Sequence, residues 1–423
     1  MSRRLDVYLL DRLSGVLTQD DAGQLGFTYA ADYLASSSAR VISFAMPLTD
    51  KPYNDAVARP YFSGLLPDEN ARRRLASALG VSEGNPFGLL EVIGGECAGA
   101  LSLYPQSQLP PSDDEGVELL TPDRLEEVLA ELRTRPLLGG EEGVRMSLAG
   151  AQDKLAVCIE GDAVGLAKGG RPTTHILKPL MEALEGTVEN EYFCMRLAAQ
   201  LGFTVPDVCV RRDGKTPFLL VERYDRLRGA DQAITRLHQE DFCQALSVPP
   251  ELKYEEEGGP GTERSLGLIA AATARPAAAR LSFVRMLAFH YLVGNADAHA
   301  KNFALLYTDP VPDLAPVYDV VCTAAYKRLA KKMAMSIGGR AVPDTIQLEH
   351  WLTLVPNTRG AQRLLTRDLA DMATRITTEA SSLLHELNDQ GVTHPVLKDI
   401  RRIVGIRAAH VLRSIDKAGE AEA

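Results

Sequence analysis

The stretch Gly294-Asn-Ala-Asp-Ala-His-Ala-Lys-Asn302 decides the fold and the chemistry that the sequence predicts. It follows the mostly apolar residues 281–293 and precedes residues 303–307, a short apolar run that predicts a strand. The pair Tyr318-Asp319 lies on the far side of the next turn. The order of an aspartate, an asparagine five residues later and a second aspartate beyond a turn predicts a functional site at this loop.

Oxygen-bearing side chains in this order suit phosphoryl transfer, which depends on positioning and charge neutralisation more than on covalent chemistry. Asp297 is the candidate general base, placed to orient and deprotonate an acceptor hydroxyl. Asn302 and Asp319 are the candidate ligands of Mg²⁺, which prefers hard oxygen ligands. His299 has no ligand partners at metal-binding spacing, so we expect it to bond to phosphate or to the loop.

A strand lysine and a helix glutamate complete the predicted phosphate contacts. Lys178 ends a predicted strand over residues 173–178 and would contact the α- and β-phosphates of ATP. Glu191, on a helix predicted over residues 188–202, is the candidate partner of this lysine, and Glu189 is the alternative.

Two further segments are candidates for nucleotide contacts. The predicted phosphate-covering loop consists of Ala149, Gly150, Ala151, Gln152, Asp153 and Lys154. It has one glycine and no Walker pattern, so a flexible loop before a strand explains its composition equally well. The predicted hinge consists of Glu222, Arg223 and Tyr224, whose backbone groups would bind adenine.

Taken singly, each of these residues has an ordinary interpretation. An aspartate after a helix is often a cap, an asparagine before a strand often makes a turn, and a lone lysine is often a solvated edge residue. Their order and spacing together favour the functional interpretation.

Ser147 lies just before the phosphate-covering loop. Most serines in such a place bond to the loop backbone. A phosphate on this serine would add about two negative charges beside a site that has to bind polyphosphate. Inhibition or ejection of the loop is therefore the expected effect of its modification.

The length of 423 residues predicts more than one domain. We expect a small mixed domain over residues 1–105, a Pro-, Ser-, Gln- and Asp-rich linker over 106–121, a small lobe over 122–224 and a mostly helical large lobe over 225–418. Within the first domain, residues 5–10, 25–29 and 41–46 have strand-like patterns.

Composition limits the possible classes. Hydrophobic residues make up 45% and charged residues 24% of the chain, which is typical of a soluble globular protein. The net charge of −10 argues against a surface that coats nucleic acid indiscriminately. The residues before position 12 do not form a signal peptide, and no apolar stretch could span a bilayer. We therefore expect a cytoplasmic protein with no membrane partner.

Longer motifs of the chain resemble a known family. They are Ser147-Leu-Ala-Gly-Ala-Gln-Asp-Lys154, Pro172-Thr-Thr-His-Ile-Leu-Lys178, Val221-Glu-Arg-Tyr-Asp-Arg226, Gly258-Gly-Pro-Gly261, Asp297-Ala-His-Ala-Lys-Asn302 and Tyr318-Asp319. Together they resemble the HipA family of toxin kinases, and Leu65-Leu-Pro-Asp68 resembles that family's small N-terminal domain. The resemblance covers nearly the whole chain.

The resemblance implies an α+β, bilobal protein-kinase-like fold and a serine/threonine protein kinase that uses ATP and Mg²⁺. Such a kinase is the toxin of a bacterial type II toxin–antitoxin pair. It phosphorylates a translation component, typically an aminoacyl-tRNA synthetase, which slows growth and promotes drug tolerance. A small DNA-binding antitoxin, HipB-like, would hold it on operator DNA.

The resemblance also implies roles for single residues. The family's catalytic aspartate matches Asp297, and its inhibitory autophosphorylation site matches Ser147. Its ATP-binding segments match the phosphate-covering loop, Lys178, the hinge, and the residues His299, Ala300, Lys301, Asn302, Tyr318 and Asp319.

Two other functions stay open at this point. One is a nucleotide-binding corepressor that transfers no phosphate, although such a scaffold has no physical need of a base and two metal ligands together. The other is a small-molecule kinase of the aminoglycoside phosphotransferase type, which shares the Asp-to-Asn spacing. The basic C-terminal residues 394–417 form either a solvated face or a contact surface for DNA or an acidic partner.

Overall fold

The computed structural model describes residues 2–106, 108–111, 116–141, 143–230 and 233–422. The chain divides into two compact units. The first unit contains Met1–Pro179, Arg211–Lys253 and Ala304–Ala315, and the second contains Leu180–Val210, Tyr254–Phe303 and Pro316–Ala423. The lobe boundaries expected from the sequence stay a prediction.

Strands and helices are numbered in chain order. The strands β1 to β15 are Arg3–Leu9, Arg12–Gln19, Leu25–Tyr29, Leu101–Pro105, Val117–Leu119, Leu155–Glu160, Ala163–Ala167, His175–Pro179, Val208–Arg211, Phe218–Glu222, Arg226–Arg228, Ile234–Arg236, His238–Asp241, Ala304–Tyr307 and Asp313–Leu314. The helices α1 to α12 are Ala31–Leu34, Asp55–Gly64, Glu69–Leu79, Pro86–Ile93, Pro122–Glu131, Thr187–Gln200, Phe242–Ala245, Thr262–Ala272, Pro276–Val293, Leu348–Leu352, Arg359–Asp389 and Pro395–Glu422.

The first sheet of the first unit has the strand order β3-β2-β1-β4 and is antiparallel throughout. Strand β2 was absent from the sequence expectations. It is joined to β1 by Leu10 and Asp11, both with positive φ (51° and 62°), in a two-residue turn without glycine. Hairpin turns of this kind usually contain Asn-Gly or Asp-Gly, and the sequence carries neither signal here.

The second sheet of the first unit carries Lys178. Its strands β5, β7, β6, β8 and β10 pair antiparallel in that order. Strand β5 lies inside the segment that the sequence predicted as a linker, so three of those residues belong to the sheet. Linker positions 107 and 112–115 lie outside the described residues. A third, small sheet pairs β13, β14 and β15.

The expectation of a strand over residues 41–46 is wrong, because this stretch forms only an isolated bridge between Ser43 and Met46. The Ser43 hydroxyl and the Phe44 N–H bond instead to the side chain of Glu240 on β13. The Glu240 carboxylate accepts hydrogen bonds from the Ser43 hydroxyl (2.6 Å), the Phe44 N–H (2.8 Å) and the Tyr307 hydroxyl (2.5 Å). A buried carboxylate has thus replaced the strand partner that the backbone needs.

The second unit is mostly helical. Helix α11 buries Leu365, Leu369, Met372 and Ile376, which recur at helical spacing, and packs against α12. Helix α12 also packs against α9, which leads directly into the loop at residues 294–302. These helices lie within the lobe over residues 225–418 that the sequence predicts to be mostly helical. Residues 226–241 of that range, however, contain β11 to β13, and residues 294–347 consist largely of β14, β15, turns and short single-turn helices.

The buried Glu240 predicts a pH-dependent stability. Burial raises the pKa of Glu240 from 4.5 to about 7, although three hydrogen bonds favour the charged form. The folded state therefore binds more protons than the unfolded state between about pH 4.5 and 7, and stability falls as pH rises through that window. Glu240→Gln removes this titration, so its stability relative to the wild type should rise by up to about 3 kcal/mol between pH 4.5 and 8.

Urea unfolding at pH 4.5 and pH 8 measures this difference. His238, whose pKa burial lowers to about 4, titrates in both proteins and cancels in the comparison. An identical stability difference at both pH values would contradict the prediction.

Candidate active site

Helix α9 ends at Gly294, which the packing requires to be glycine. Its backbone is left-handed (φ 77°), and a Cβ there would lie 2.8 Å from the Ile403 Cγ2 atom of α12. The N–H groups of Gly294 and Asn295 donate back to Tyr291 and His290 and close the helix end. The chain therefore leaves α9 in a single direction, into the predicted catalytic loop.

Side chains then fix the start of this loop. The Thr323 hydroxyl accepts from the Ala296 N–H (2.8 Å), and Asn295 accepts from the Asp297 N–H (2.9 Å). The Asn295 amide lies 3.1 Å from the His290 Nδ1 atom. Burial lowers the pKa of His290 to about 4, so this ring is neutral at physiological pH. The backbone of Asp297 is thereby held from both sides.

The five-residue spacing between Asp297 and Asn302 closes a tight turn. The His299 N–H donates to the Asp297 carbonyl (2.8 Å), and the Asn302 N–H donates to the His299 carbonyl (2.9 Å). The Asn302 side-chain nitrogen also donates to the Asp297 carbonyl (3.2 Å). Because that nitrogen faces the loop, the side-chain oxygen of Asn302 is the atom that can bind a cation.

Tyr254 contacts the candidate base, which the sequence did not predict. Its hydroxyl donates to the Asp297 Oδ1 atom (2.7 Å), and its ring meets the His299 ring edge-on at 5.2 Å. Ala334 carries backbone bonds to both sides of this contact, since it donates to Ala296 and accepts from Glu255. The carboxylate of Asp297 can thus be reached by a hydroxyl group.

The segment with Asp319 is tied to the same loop. The Tyr318 hydroxyl donates to the Lys301 carbonyl (2.8 Å), one residue before Asn302. Asp319 has a left-handed backbone (φ 56°), which costs free energy for a residue with a Cβ and occurs often at functional sites. Of the residues in this unit, the structure therefore brings the segments of Asp297, Asn302 and Asp319 together.

Asn190 on α6 fixes the chain just after Asp319. It is fully buried, accepts from the Cys322 N–H (2.8 Å) and donates to the Cys322 carbonyl (3.2 Å) and to the Tyr326 hydroxyl (3.2 Å). Its neighbours Glu189 and Glu191 are also buried on α6, and the choice between them as partner of Lys178 stays a prediction.

The first unit holds the other predicted contacts. Lys178 lies on β8 opposite Leu219 of β10 and is 5% exposed. In residues 149–154, Gly150 has a φ of 108° and Lys154 donates through Nζ to the Ala149 carbonyl (2.8 Å). The Gln152 side chain reaches the Pro179 carbonyl, one residue beyond Lys178 (3.5 Å). The loop is thereby linked to the strand of the lysine.

Other side chains of these segments serve the structure. Asp153 forms an ion pair with Arg74. Arg223 is buried, donates its backbone N–H to Thr174 (2.9 Å) and pairs through its guanidinium with Asp225. The side chain of Arg223 is therefore held by an ion pair within the fold, and the role of the hinge in binding adenine stays a prediction.

Ser147 is fully buried. Its hydroxyl donates to the Leu65 carbonyl (2.7 Å) and its N–H donates to the Glu96 carbonyl (2.7 Å). The expected bonding of this serine to backbone is found, but the partners are residues 65 and 96 rather than the loop itself. Access to its hydroxyl requires this segment to leave its place.

The oxygen donors of Asn302 and Asp319 fit Mg²⁺, which also takes ligands from phosphates and water, better than they fit a metal ion whose ligands all come from the protein. Within the described ranges, no group of three or more His, Cys, Asp or Glu side chains could hold a metal ion. Asn302 and Asp319 offer two hard oxygen ligands on adjoining segments. Mg²⁺ is typically bound by one or two carboxylates together with substrate phosphates and water.

Comparisons with known proteins agree with this geometry. The model of the HipA-like C-terminal domain matches residues 146–384, and that of the HipA N-terminal domain matches residues 5–104. A putative kinase, Y4mE of Sinorhizobium fredii, is 41% identical and covers 98% of this chain and 99% of its own. The serine/threonine-protein kinase toxin HipA of Shewanella oneidensis is 30% identical and covers 88% of this chain and 87% of its own.

A solved structure matches over almost the full length. It is the Shewanella oneidensis toxin–antitoxin complex of HipA, HipB and operator DNA, whose matched chain has a TM-score of 0.84, 26% identity and 98% coverage of both chains. The α+β, protein-kinase-like fold class is thus confirmed. The chain belongs to the HipA family of serine/threonine-protein kinases.

Throughout the part of the chain that the structure describes, every helix is too short or too polar to cross a bilayer.

The buried contacts of Asn190 predict a large loss of stability for Asn190→Ala. This change leaves the buried N–H of Cys322 without its acceptor and removes one of the two donors to its carbonyl, so the free energy of unfolding should fall by about 2 kcal/mol. Chemical denaturation measures it, with Asn388→Ala at an exposed position of α11 as the control. Equal losses in the free energy of unfolding for the two variants would contradict this role of Asn190.

Proposed function

We propose that this protein is an ATP- and Mg²⁺-dependent serine/threonine protein kinase that acts as the growth-inhibiting toxin of a type II toxin–antitoxin module. One observation carries the chemistry: the hydrogen bonds from Asn302 to Asp297 and from Tyr318 to Lys301 join the segments of three oxygen-bearing side chains. These side chains have the types, order and spacing that phosphoryl transfer requires.

In this proposal Asp297 would accept the proton of a serine or threonine hydroxyl as that oxygen forms a bond to the γ-phosphorus of ATP. The bond from that phosphorus to the β,γ-bridging oxygen breaks, and ADP leaves. The 2.7 Å contact from the Tyr254 hydroxyl to the Asp297 carboxylate supports this role of Asp297, because an acceptor hydroxyl needs the same hydrogen bond. Asn302 and Asp319 would hold Mg²⁺, which when bound neutralises charge on the phosphates.

The remaining assignments concern ATP. Lys178 would contact the α- and β-phosphates, residues 149–154 would cover the phosphates, and residues 222–224 would bind adenine through backbone groups. His299, Ala300, Lys301 and Tyr318 would border the nucleotide. The resolved link between Gln152 and the end of the Lys178 strand supports a common position for loop and lysine.

The partners follow from the similar proteins. The matched solved chain was determined together with HipB and operator DNA, so we propose a small HipB-like DNA-binding antitoxin as partner, with operator DNA bound mainly through that antitoxin. The proposed protein substrate is a translation component such as an aminoacyl-tRNA synthetase. The corepressor without phosphoryl transfer is the competing function.

Labelled ATP separates these two functions. The purified chain should transfer label to itself and to a protein in a cell lysate, and Asp297→Asn should lower both by at least about a hundredfold because the acceptor hydroxyl loses its base. Asn388→Ala is the control. Nucleotide binding without label on any protein would favour the corepressor, and label on an aminoglycoside instead of protein would favour a small-molecule kinase.

The predicted autophosphorylation site gives a second test. Ser147→Ala should abolish self-labelling and leave labelling of the lysate protein in place, as measured by mass spectrometry of both. Self-labelling should also be slow, because the fully buried hydroxyl must first break its bond to Leu65. Unchanged self-labelling in the variant would show that the site lies elsewhere.

A further inference from the structure

A buried ion cluster lies at the predicted hinge. The Glu96 cluster is defined as Glu96, Thr173, Arg223, Asp225 and Arg226. The Glu96 Oε1 atom accepts from the N–H (3.0 Å) and hydroxyl (3.0 Å) of Thr173, from Arg223 (3.3 Å) and from Arg226 (2.8 Å). The two guanidinium side chains are each only 2% exposed.

Residues 96–99 hold the hinge through more than this carboxylate. Asp225 binds Arg223 in a two-pronged ion pair and accepts from the Gly99 N–H (2.7 Å). Arg226 donates to the Gly99 carbonyl (2.9 Å), and Arg223 donates to the Cys97 carbonyl (3.3 Å). Residues 96–99, a short turn that precedes β4, thus contact the chain on both sides of Tyr224.

The backbone of Glu96 contacts the segment before the phosphate-covering loop. Its N–H donates to the Arg145 carbonyl (2.8 Å), and its carbonyl accepts from the Ser147 N–H (2.7 Å). The two segments form a parallel bridge between Glu96 and Met146. One residue therefore binds the hinge by its side chain and the loop segment by its backbone.

Burying the charges of the Glu96 cluster costs free energy, so the cluster is better explained by the direction of its hydrogen bonds than by a gain in stability. Burying several charges requires desolvation that ion pairing often only offsets, and apolar side chains of similar volume could fill the space as well. Burial alone would raise the pKa of Glu96, but Arg223 and Arg226 hold it below its ordinary value, so the carboxylate stays charged. Unlike apolar contacts, the forked hydrogen bonds of a guanidinium group are directional, so they fix where the attached backbone lies.

We infer that Glu96 is a positioning residue for nucleotide binding. It fixes the backbone of residues 222–224 for the adenine and links residues 96–99 to the hinge. This inference rests on the proposed kinase function. Glu96 acts through Arg223, Arg226 and Thr173 and touches no substrate atom itself.

The inference predicts a loss of affinity for the base and not for the phosphates alone. Glu96→Gln keeps the shape but removes the charge that orients both arginines, so adenosine and a non-hydrolysable ATP analogue should each bind about tenfold more weakly. The KM for ATP should rise by the same factor while kcat at saturating ATP stays unchanged. Lys178→Ala should weaken the ATP analogue only.

Glu240→Gln is the control, since Glu240 is a fully buried glutamate of the same unit that contacts neither the hinge nor residues 145–147. Calorimetry with adenosine and the ATP analogue, and the unfolding midpoint, are measured for every variant. If Glu96→Gln does not fold, Thr173→Val replaces it; this change removes one bond to Glu96 and one from Arg223, and should weaken both ligands about threefold.

The outcomes separate the inference from the proposed function. Unchanged adenosine affinity in the Glu96 or Thr173 variant, or equal losses in Glu240→Gln, would overturn the inference while kinase activity persists. A lower kcat with unchanged KM would overturn it as well. A wild-type protein that binds no ATP analogue would overturn the proposed function, and the inference with it.

Discussion

The left-handed turn at Gly294 is the constraint on which the catalytic segment depends. Helix α9 packs against α12, and a side chain at position 294 would collide with Ile403 of that helix. The same glycine carbonyl accepts from the Thr323 hydroxyl, which in turn accepts from Ala296. A Cβ at position 294 would also lie 3.1 Å from the Ala324 Cβ atom, so the same glycine lets the segment after Asp319 pack closely against the segment before Asp297.

Polar groups, rather than apolar packing, position the residues that would do chemistry. Asn190 holds Cys322, Asn295 holds Asp297, and the Glu96 cluster holds Arg223. Each is buried, and each bond specifies direction in a way that a methyl group cannot. Such groups cost stability if one partner is lost, which explains why the site lies on segments that are bonded from several sides.

The sequence contains a signal for the candidate residues but none for the contacts that support their segments. Asp297, Asn302 and Asp319 could be proposed because their spacing is local and their side chains are of the type that phosphoryl transfer uses. Tyr254 contacts Asp297 from 43 residues away along the chain, and Thr323 contacts Ala296 from 27 residues away. Glu96 contacts the hinge residue Arg223 from 127 residues away, and no pattern within a short window reveals such pairs. Strand β2 was missed because its turn uses Leu10 and Asp11, and residues 41–46 were misjudged because Glu240 took the place of a strand partner.

The contacts of the buried Ser147 join the start of the phosphate-covering loop to residues before position 100. Its hydroxyl and N–H, together with the bond from the Asp68 N–H to the Gly150 carbonyl, tie residues 147–150 to residues 65–68 and 96. Three such bonds contribute about 1 kcal/mol each, and the burial of the Leu148 side chain in the core adds to them. A phosphate on the serine would remove the O–H group that donates to Leu65 and would bring about two negative charges to a buried place, at a large desolvation cost. Phosphorylation would therefore hold the segment open, and the bonds that position the loop would be the ones that the modification removes.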